Sequence, residues 1–260
     1  MLTKTEAIVL KSMKYGDTSK IVSFYTRQFG KLKGIAKGAR KPNNKFGSAL
    51  EPFTRVSLVV YRKENRDLHL ISQCDSIDSY RKLNDDLGRI SAGLAVLELV
   101  DRLTHGEEEN ASLFALLTDT LSTLNDTTRN CQSLQRAFQL KCTALFGFAP
   151  ALEACAACGR SLGAGELIAR VGFQLTDGAI ICPECWRSRR TGGSPFQMTI
   201  SAPALRVLQR FLSASMNRIP AVVYNEEVGN ELDEALRLYF RYHFEHANEL
   251  RSLKLIKSIA

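Results

Sequence analysis

Four of the seven cysteines stand in two C-x-x-C pairs, and this pattern limits the possible folds more than any other feature of the sequence. The pairs are Cys155 with Cys158 and Cys182 with Cys185, and 23 residues separate them. Two pairs at such a spacing are typical of four thiolates around one tetrahedral Zn²⁺. Because four sulfurs fill the coordination shell, we expect one structural Zn²⁺ per chain and no open catalytic position.

Two other uses of C-x-x-C pairs fit this sequence less well. A redox dithiol needs a single pair after a strand in a βαβ unit, and a disulfide framework needs an oxidising compartment. A short module over residues 150–195 with little core of its own gains folding free energy from a metal. Arginines at 160, 187, 189 and 190 lie close enough in sequence to offset the charge of the four thiolates.

The first 80 residues have the composition and alternation of short strands. Five strands are predicted in this order: Ala7–Lys11, Ile21–Thr26, Lys31–Ala39, Val56–Tyr61 and Leu68–Ile71. Glycines at 34 and 38 indicate a bulged or bent third strand. Five strands with one long connection predict an OB-fold barrel, and an SH3-like barrel is the competing architecture.

After Leu83 the apolar residues recur with the period of a helix. Helices are predicted from Leu87 to about His105, after a cap at Asn110 or Ser112, over 129–146, over 202–213 and over 227–244. The fold class is therefore multidomain α+β, with an OB-fold over 1–80 and a helical domain over 81–260. The cysteine module over 150–195 is predicted to be inserted in that helical domain.

Positive charge is concentrated in the predicted barrel. Residues 1–80 hold 15 Lys and Arg against 7 Asp and Glu, whereas the rest of the chain holds 20 of each, so the barrel carries the whole net charge of +8. Six basic residues lie in one stretch without an acidic residue: Lys31, Lys33, Lys37, Arg40, Lys41 and Lys45. Such an asymmetry predicts that this stretch binds a polyanion, and in particular nucleic acid.

Enzymatic motifs are missing from the sequence. It has no Walker A loop, no dinucleotide-binding glycine motif and no nucleophile elbow, and its four histidines are scattered. These observations favour a binding protein without catalytic residues. We also expect a cytoplasmic location, because no signal peptide or transmembrane segment is found.

Several motifs resemble the RecO family of bacterial recombination-mediator proteins. They are Ala7–Lys11, Tyr15–Asp17, Phe29–Lys31, Ala36–Lys41, Phe46–Gly47, Leu50–Phe53, the cysteine module and Leu250–Lys254, in the family's order along the full chain. The resemblance implies a bacterial protein of recombinational repair that binds single- and double-stranded DNA and anneals complementary strands. It further implies action with RecR, with the tail of single-strand-binding protein and, indirectly, with RecA, and a nucleoid association during repair.

Other partners remain open at this point. A barrel with a basic stretch and a zinc module also fits an RNA-binding or ribosome-associated protein, or a scaffold for an acidic peptide. In an OB-type interface, aromatic rings stack on bases while Lys and Arg follow the phosphates. Among the aromatic residues of the barrel, Phe46 in the basic stretch is the one we expect to face nucleic acid.

Overall fold

The computed structural model describes residues 1–62, 66–162, 169–188 and 197–244. Packing divides the chain into one unit of residues 1–128 and a second unit that begins at Arg129. The predicted boundary at residue 80 follows the change from strands to helices instead and stays a prediction. Within the described ranges, no helix is both long and apolar enough to cross a membrane.

The first unit opens with a closed five-stranded barrel. Its strands are β1 (Leu2–Tyr15), β2 (Ser19–Thr26), β3 (Gly30–Ala36), β4 (Arg55–Tyr61) and β5 (His69–Asp78). They are ordered β1-β2-β3-β5-β4, and β4 also pairs with β1. All pairs are antiparallel except β3 with β5. This closed five-stranded barrel confirms the predicted OB-like fold class.

A bulge in β1 decides which residues face outwards. The register with β2 shifts between Val9 and Lys11, and one extra residue reverses the alternation of a strand. The glycines had predicted a bulged or bent β3, and the bulge was wrong, because β3 pairs regularly with β2 from Gly30 to Ala36. Gly34 instead allows close packing: a Cβ there would lie 2.6 Å from Cγ1 of the Ile71 side chain.

The long connection between β3 and β4 folds as a series of turns whose apolar side chains pack into the barrel core. The Asn44 Oδ1 accepts hydrogen bonds from the backbone N–H groups of Phe46 and Gly47, at 3.0 and 2.9 Å. Phe46 and Leu50 are buried in the barrel core. The predicted exposure of Phe46 to nucleic acid was therefore wrong, since its ring closes the apolar interior.

Two helices complete the first unit, α1 (Leu87–Leu103) and α2 (Ala111–Asp126). The side chain of Asn110 caps α2 by accepting from the backbone N–H of Leu113, at 2.9 Å. Just before this cap, Glu107 bonds to Arg62 at 2.5 Å and to His69 at 2.7 Å. These contacts hold the connection between α1 and α2 against the barrel.

The second unit combines helices with a small sheet. Its elements are α3 (Cys131–Leu145), β6 (Arg170–Gln174), β7 (Ala179–Ile181), α4 (Pro183–Ser188), β8 (Gln197–Ser201), α5 (Ala202–Ser213) and α6 (Glu226–His243). The strands pair antiparallel in the order β7-β6-β8. α3, α5 and α6 agree with the predicted ranges, whereas α4 and the three-stranded sheet were not foreseen.

An ion pair between a buried arginine and a partly exposed aspartate joins two helices of this unit. Arg136 of α3 is almost fully buried, and its guanidinium donates to both carboxylate oxygens of Asp233 on α6, at 2.7 and 2.8 Å. It also donates to the Tyr224 hydroxyl at 2.8 Å. Burial opposes the charge, but Asp233 and Tyr224 outweigh burial and raise the pKa of Arg136.

Candidate nucleic-acid interface and metal centre

The four cysteines of the C-x-x-C pairs meet in the second unit. Cys155 and Cys158 lie in a tight turn, where Gly159 has a φ of +74° and donates to the carbonyl of Cys155 at 2.8 Å. Cys182 directly follows β7, and Cys185 lies on α4. A turn, a strand end and a short helix thus bring the four sulfurs together, although the two C-x-x-C pairs are at least 24 positions apart in the chain.

The sulfur geometry fits a tetrahedral metal ion. The four Sγ atoms all lie within 4.8 Å of one another, and those of Cys158 and Cys182 are 3.8 Å apart. Metal–sulfur bonds of about 2.3 Å in a tetrahedron place the sulfurs about 3.8 Å apart. None of the seven cysteines forms a disulfide. The predicted quartet is therefore confirmed as a cluster that could hold a metal.

Backbone N–H groups prepare one of these sulfurs for a metal. Burial opposes ionisation of Cys155, but N–H groups of Cys182, Cys158 and Ala157 outweigh it and lower the pKa of Cys155 to about 6. The N–H of Cys182 lies 3.2 Å from this sulfur. Because a thiolate is the form that binds metal, such donors favour coordination.

The arginines predicted to offset the cluster's charge have different surroundings. Arg160 forms an ion pair with Glu184 at 3.3 Å, and Arg187 donates to the carbonyl of Pro183. Arg189 and Arg190 lie outside the described residues. Glu184 offsets part of the positive charge that Arg160 brings to the cysteine cluster.

The six basic residues of the predicted interface are distributed over β3 and the turns that follow it. Lys33 and Lys37 are exposed, as is Lys41. Arg40 is exposed as well and donates to the carbonyl of Gly16, at 2.9 Å. Of these four exposed cations, Arg40 contacts the turn between β1 and β2.

The other two cations of the stretch have neighbours in the first unit. Lys31 is half-buried, and its Nζ lies 2.7 Å from a carboxylate oxygen of Asp101 on α1. Lys45 is exposed and donates to the carbonyl of Ser72, at 2.5 Å. Lys31 is consequently the least accessible of the six to an outside anion.

The aromatic residues of the barrel divide between its core and its surface. Phe24, Tyr25, Phe46 and Phe53 are buried. The guanidinium of Arg62 lies over the half-buried ring of Phe29, at 4.8 Å from the ring centroid. The aromatic residues with large exposed fractions are Tyr61 at 48% and Tyr15 at 51%.

The strand register places Lys11, which the sequence analysis did not assign to the interface, beside a lysine of the basic stretch. Lys11 of β1 pairs with Ser23 of β2, and Ser23 pairs with Lys33 of β3, so both lysines lie in one row on the outer face. They are 22 positions apart in the chain, and only the strand register brings them together. The register depends on the β1 bulge, which no residue pattern announces.

Comparison with known proteins places the chain in a family. Two family models match it: "Recombination protein O N terminal" over residues 1–80 and "Recombination protein O C terminal" over residues 84–254. The chain belongs to the RecO family. The first RecO model covers the barrel strands, and the second covers the helices and all four clustered cysteines.

Curated relatives of the RecO family match the chain over nearly its whole length. A "DNA repair protein RecO" of Pelotomaculum thermopropionicum is 34% identical over 244 residues, which are 94% of this chain and 90% of that protein. One from Chloroherpeton thalassium is 32% identical and one from Pelodictyon phaeoclathratiforme is 33% identical, each over 100% of this chain and 99% of its own length. The resemblance to the RecO family seen in the motifs is thereby confirmed.

Proposed function

We propose that this member of the RecO family is a DNA-binding mediator of recombinational repair that binds single- and double-stranded DNA. The observation that carries the proposal is an OB-like barrel that holds the entire net charge of +8. One of its exposed cations, Arg40, contacts Gly16 in the β1–β2 turn, and OB-folds use this loop to bind oligonucleotides. The curated relatives are named DNA repair proteins, which supports DNA as the ligand.

Phosphate binding is the physical basis of this proposal. Lys33, Lys37, Arg40, Lys41 and Lys45 are exposed and are the residues that we assign to phosphates. Lys31 pairs with Asp101 of α1. We therefore assign to Lys31 the role of holding β3, and with it the other cations, in position. Phosphate contacts release counterions and carry no sequence information, and binding should therefore be steeply salt-dependent and general.

We also propose that the cysteine cluster binds one structural Zn²⁺ per chain. Four thiolates are soft ligands, and a tetrahedral set of four sulfurs is typical of zinc. With the shell filled by Cys155, Cys158, Cys182 and Cys185, the metal holds the turn, β7 and α4 together and has no position for a substrate. Metal analysis by mass spectrometry should find one Zn per chain.

Annealing and cooperation with partners complete the proposal. The family resemblance supports strand annealing and the loading of RecA onto DNA coated by single-strand-binding protein, together with RecR. It also supports association with the bacterial nucleoid during repair. No residues of this chain are assigned to these protein partners.

One experiment tests these proposals together. Complementary strands precoated with single-strand-binding protein are mixed with this protein, and duplex formation is followed by fluorescence. We expect annealing faster than with the coated strands alone. RNA strands of the same sequence serve as the second arm, and a preference for RNA or the absence of annealing would contradict the proposal.

A further inference from the structure

The four clustered cysteines differ widely in their access to solvent. Cys155 and Cys182 are buried, with exposed fractions of 2% and 1%, and Cys185 on α4 is half-buried. Cys158 alone among the four is exposed. A small reagent dissolved in water therefore reaches Cys158 before it reaches the other three cysteines.

The turn that carries Cys158 gives it little cover. Its neighbours Ala156, Ala157 and Gly159 are small and exposed. Among the residues that the structure describes, a Cβ on Gly159 would have no atom within 4 Å apart from its own chain neighbours. Open space therefore lies beside this turn, and a small oxidant can approach it without a movement of the chain.

A second sulfur lies close to that of Cys158. The Sγ atoms of Cys158 and Cys182 are 3.8 Å apart. A disulfide bond is about 2.05 Å long, so these two atoms need to approach by only about 1.8 Å to form one. Cysteines that bind a metal do so as thiolates, which are also the nucleophilic form. Cys182 can therefore attack Cys158 as soon as the latter is oxidised.

The other three cysteines of the chain provide a contrast. Cys74, Cys131 and Cys142 are all buried. Burial raises the pKa of Cys74 to about 12, and it raises the pKa of Cys142 as well. Because oxidation requires both thiolate character and exposure, we expect these three thiols to resist an oxidant that reaches the cluster.

We propose that Cys158 is a modification site at which a hydroperoxide begins the oxidation of the cluster to a Cys158–Cys182 disulfide. The inference rests on the proposed Zn²⁺ site and adds to it a reversible loss of the metal. After the disulfide forms, only Cys155 and Cys185 remain as thiolates. Two sulfurs do not fill the tetrahedral shell of Zn²⁺, so the ion is released.

The oxidation proceeds in two balanced steps. In the first step, the Cys158 thiolate attacks one oxygen of hydrogen peroxide, the O–O bond breaks, and a sulfenic acid and hydroxide form. In the second step, the Cys182 thiolate attacks the Cys158 sulfur, the S–S bond forms, and a second hydroxide leaves. Both hydroxides take a proton from solvent. In sum, two thiolates, one peroxide and two protons give one disulfide and two water molecules.

Loss of the metal should release α4 from the module. A helix of six residues is too short to be stable alone, and α4 is held through Cys185 in the cluster and Trp186 packed on Gly172. The new disulfide would keep the turn of Cys158 joined to Cys182 at the end of β7 but would leave Cys185 without its metal. We therefore expect oxidation to expose the indole of Trp186 to water.

Graded oxidation of the full-length protein tests the inference. Zinc-loaded protein is treated with increasing hydrogen peroxide, and a chromogenic indicator measures the Zn²⁺ that is released. We expect loss of the bound Zn²⁺ together with a shift of Trp186 fluorescence to longer wavelength. Dithiothreitol and added Zn²⁺ should restore both signals, because a dithiol reduces a disulfide by exchange.

Mass spectrometry identifies the atoms that react. Dimedone, which traps sulfenic acids, should label Cys158 at early times. Peptide mapping at late times should find the Cys158–Cys182 disulfide, with Cys74, Cys131 and Cys142 still reduced. These measurements use the wild-type chain, because Cys158→Ser would also remove a metal ligand.

A matched variant checks that the cluster alone responds. Cys131→Ala changes a buried cysteine outside the cluster and should release Zn²⁺ at the same peroxide concentration as wild type. A higher concentration required by this variant would show that Cys131 takes part and would contradict the inference.

Three further results would overturn the inference. They are Zn²⁺ that stays bound until the buried cysteines are oxidised, a first dimedone label on Cys155, Cys182 or Cys185, and a disulfide that lies within one C-x-x-C pair or between two chains. A protein that carries no Zn²⁺ before peroxide is added would instead overturn the proposed metal site. The zinc content at the start thus distinguishes the two failures.

Discussion

At the scale of single residues, exposure and pairing determine which cations can meet DNA. The six basic residues of the stretch look alike in the sequence, yet Lys31 is held by Asp101 whereas Lys33, Lys37 and Lys41 are exposed. Sequence alone could locate the stretch because net charge needs no coordinates. It could not rank the residues, because the acidic partner lies 70 positions away on α1.

Removal of three exposed cations should weaken binding to all DNA sequences. We expect Lys37→Ala, Arg40→Ala and Lys41→Ala together to lower affinity and to reduce the slope of log K against log salt by about 0.7 per lost contact on single strands and about 0.9 on duplex. Anisotropy titrations over a range of salt concentrations measure both quantities.

The matched control removes the same charge elsewhere. Arg206, Arg210 and Arg218 are exposed in the second unit, and their joint change to Ala should leave the slope as in wild type. If the barrel variant keeps wild-type affinity at about 0.1 M salt, the basic stretch does not bind DNA.

His243 should make stability depend on pH. Burial lowers its pKa, although the carbonyl of Leu175 accepts from its ring at 2.9 Å and opposes the shift. A pKa lowered by folding means that the unfolded chain binds the proton more tightly, so stability falls as the pH drops below about 6.5. Urea unfolding at several pH values should show a smaller loss for His243→Phe than for wild type. An identical loss in both proteins would assign the pH effect to other groups.

At the scale of elements, close packing explains why two glycines respond in opposite ways to substitution. A Cβ on Gly34 of β3 would collide with Ile71, whereas one on Gly229 of α6 would come no closer than 3.6 Å to any neighbour. We expect Gly34→Ala to lower the free energy of unfolding by about 1–3 kcal/mol through overpacking. Gly229→Ala should raise it by about 0.5–1 kcal/mol because alanine favours the helix.

Chemical denaturation measures both glycine variants on the same scale. The midpoint should move down for Gly34→Ala and up for Gly229→Ala, with the same dependence on denaturant as wild type. A Gly34→Ala protein as stable as wild type would show that the Ile71 side chain moves to accommodate the added methyl group.

The metal module should lose its structure without its metal while the barrel keeps its own. Trp186 is the one tryptophan of the chain and packs on Gly172 inside the module, where a Cβ would lie 1.9 Å from its ring. We expect a strong chelator to release one Zn per chain and to shift Trp186 fluorescence towards that of an exposed indole. Affinity for duplex DNA should change little, because the barrel folds around its own core.

Single cysteine variants complete this test. Cys158→Ser should lower the zinc content, whereas Cys131→Ala, a change at a buried cysteine outside the cluster, should leave it unchanged. Equal zinc content in both variants would contradict the four-sulfur site.

Local patterns predicted the elements better than the contacts between them. Alternation and helical period located five strands and the main helices, and the C-x-x-C spacing located the four clustered cysteines. The bulge in β1 was missed because it depends on the pairing of β1 with another strand. The row formed by Lys11 and Lys33 was missed for the same reason. The predicted exposure of Phe46 was wrong for a similar reason: the end of the barrel needs an apolar plug, and hydropathy does not show which side a turn faces.

At the scale of the whole molecule, the basic stretch and the cysteine cluster lie in different units. The barrel unit contains the basic stretch, and the second unit contains the four clustered cysteines and the sheet β7-β6-β8. The RecO family models match residues 1–80 and 84–254, so parts of both units belong to one family protein. Loss of metal and loss of cations should therefore produce distinct defects, one in stability and one in affinity for DNA.

The pairing of β1 with β4 has a consequence for the way the chain folds during synthesis. Leu2 pairs with Tyr61, so the barrel cannot close until the ribosome has made nearly all of its strands. Until then β1, β2 and β3 form an open meander whose first strand has a free edge. Long-range pairing of this kind slows folding, and unpaired edges invite association with other chains. We therefore expect the nascent chain to be prone to association with other chains while its barrel is still open.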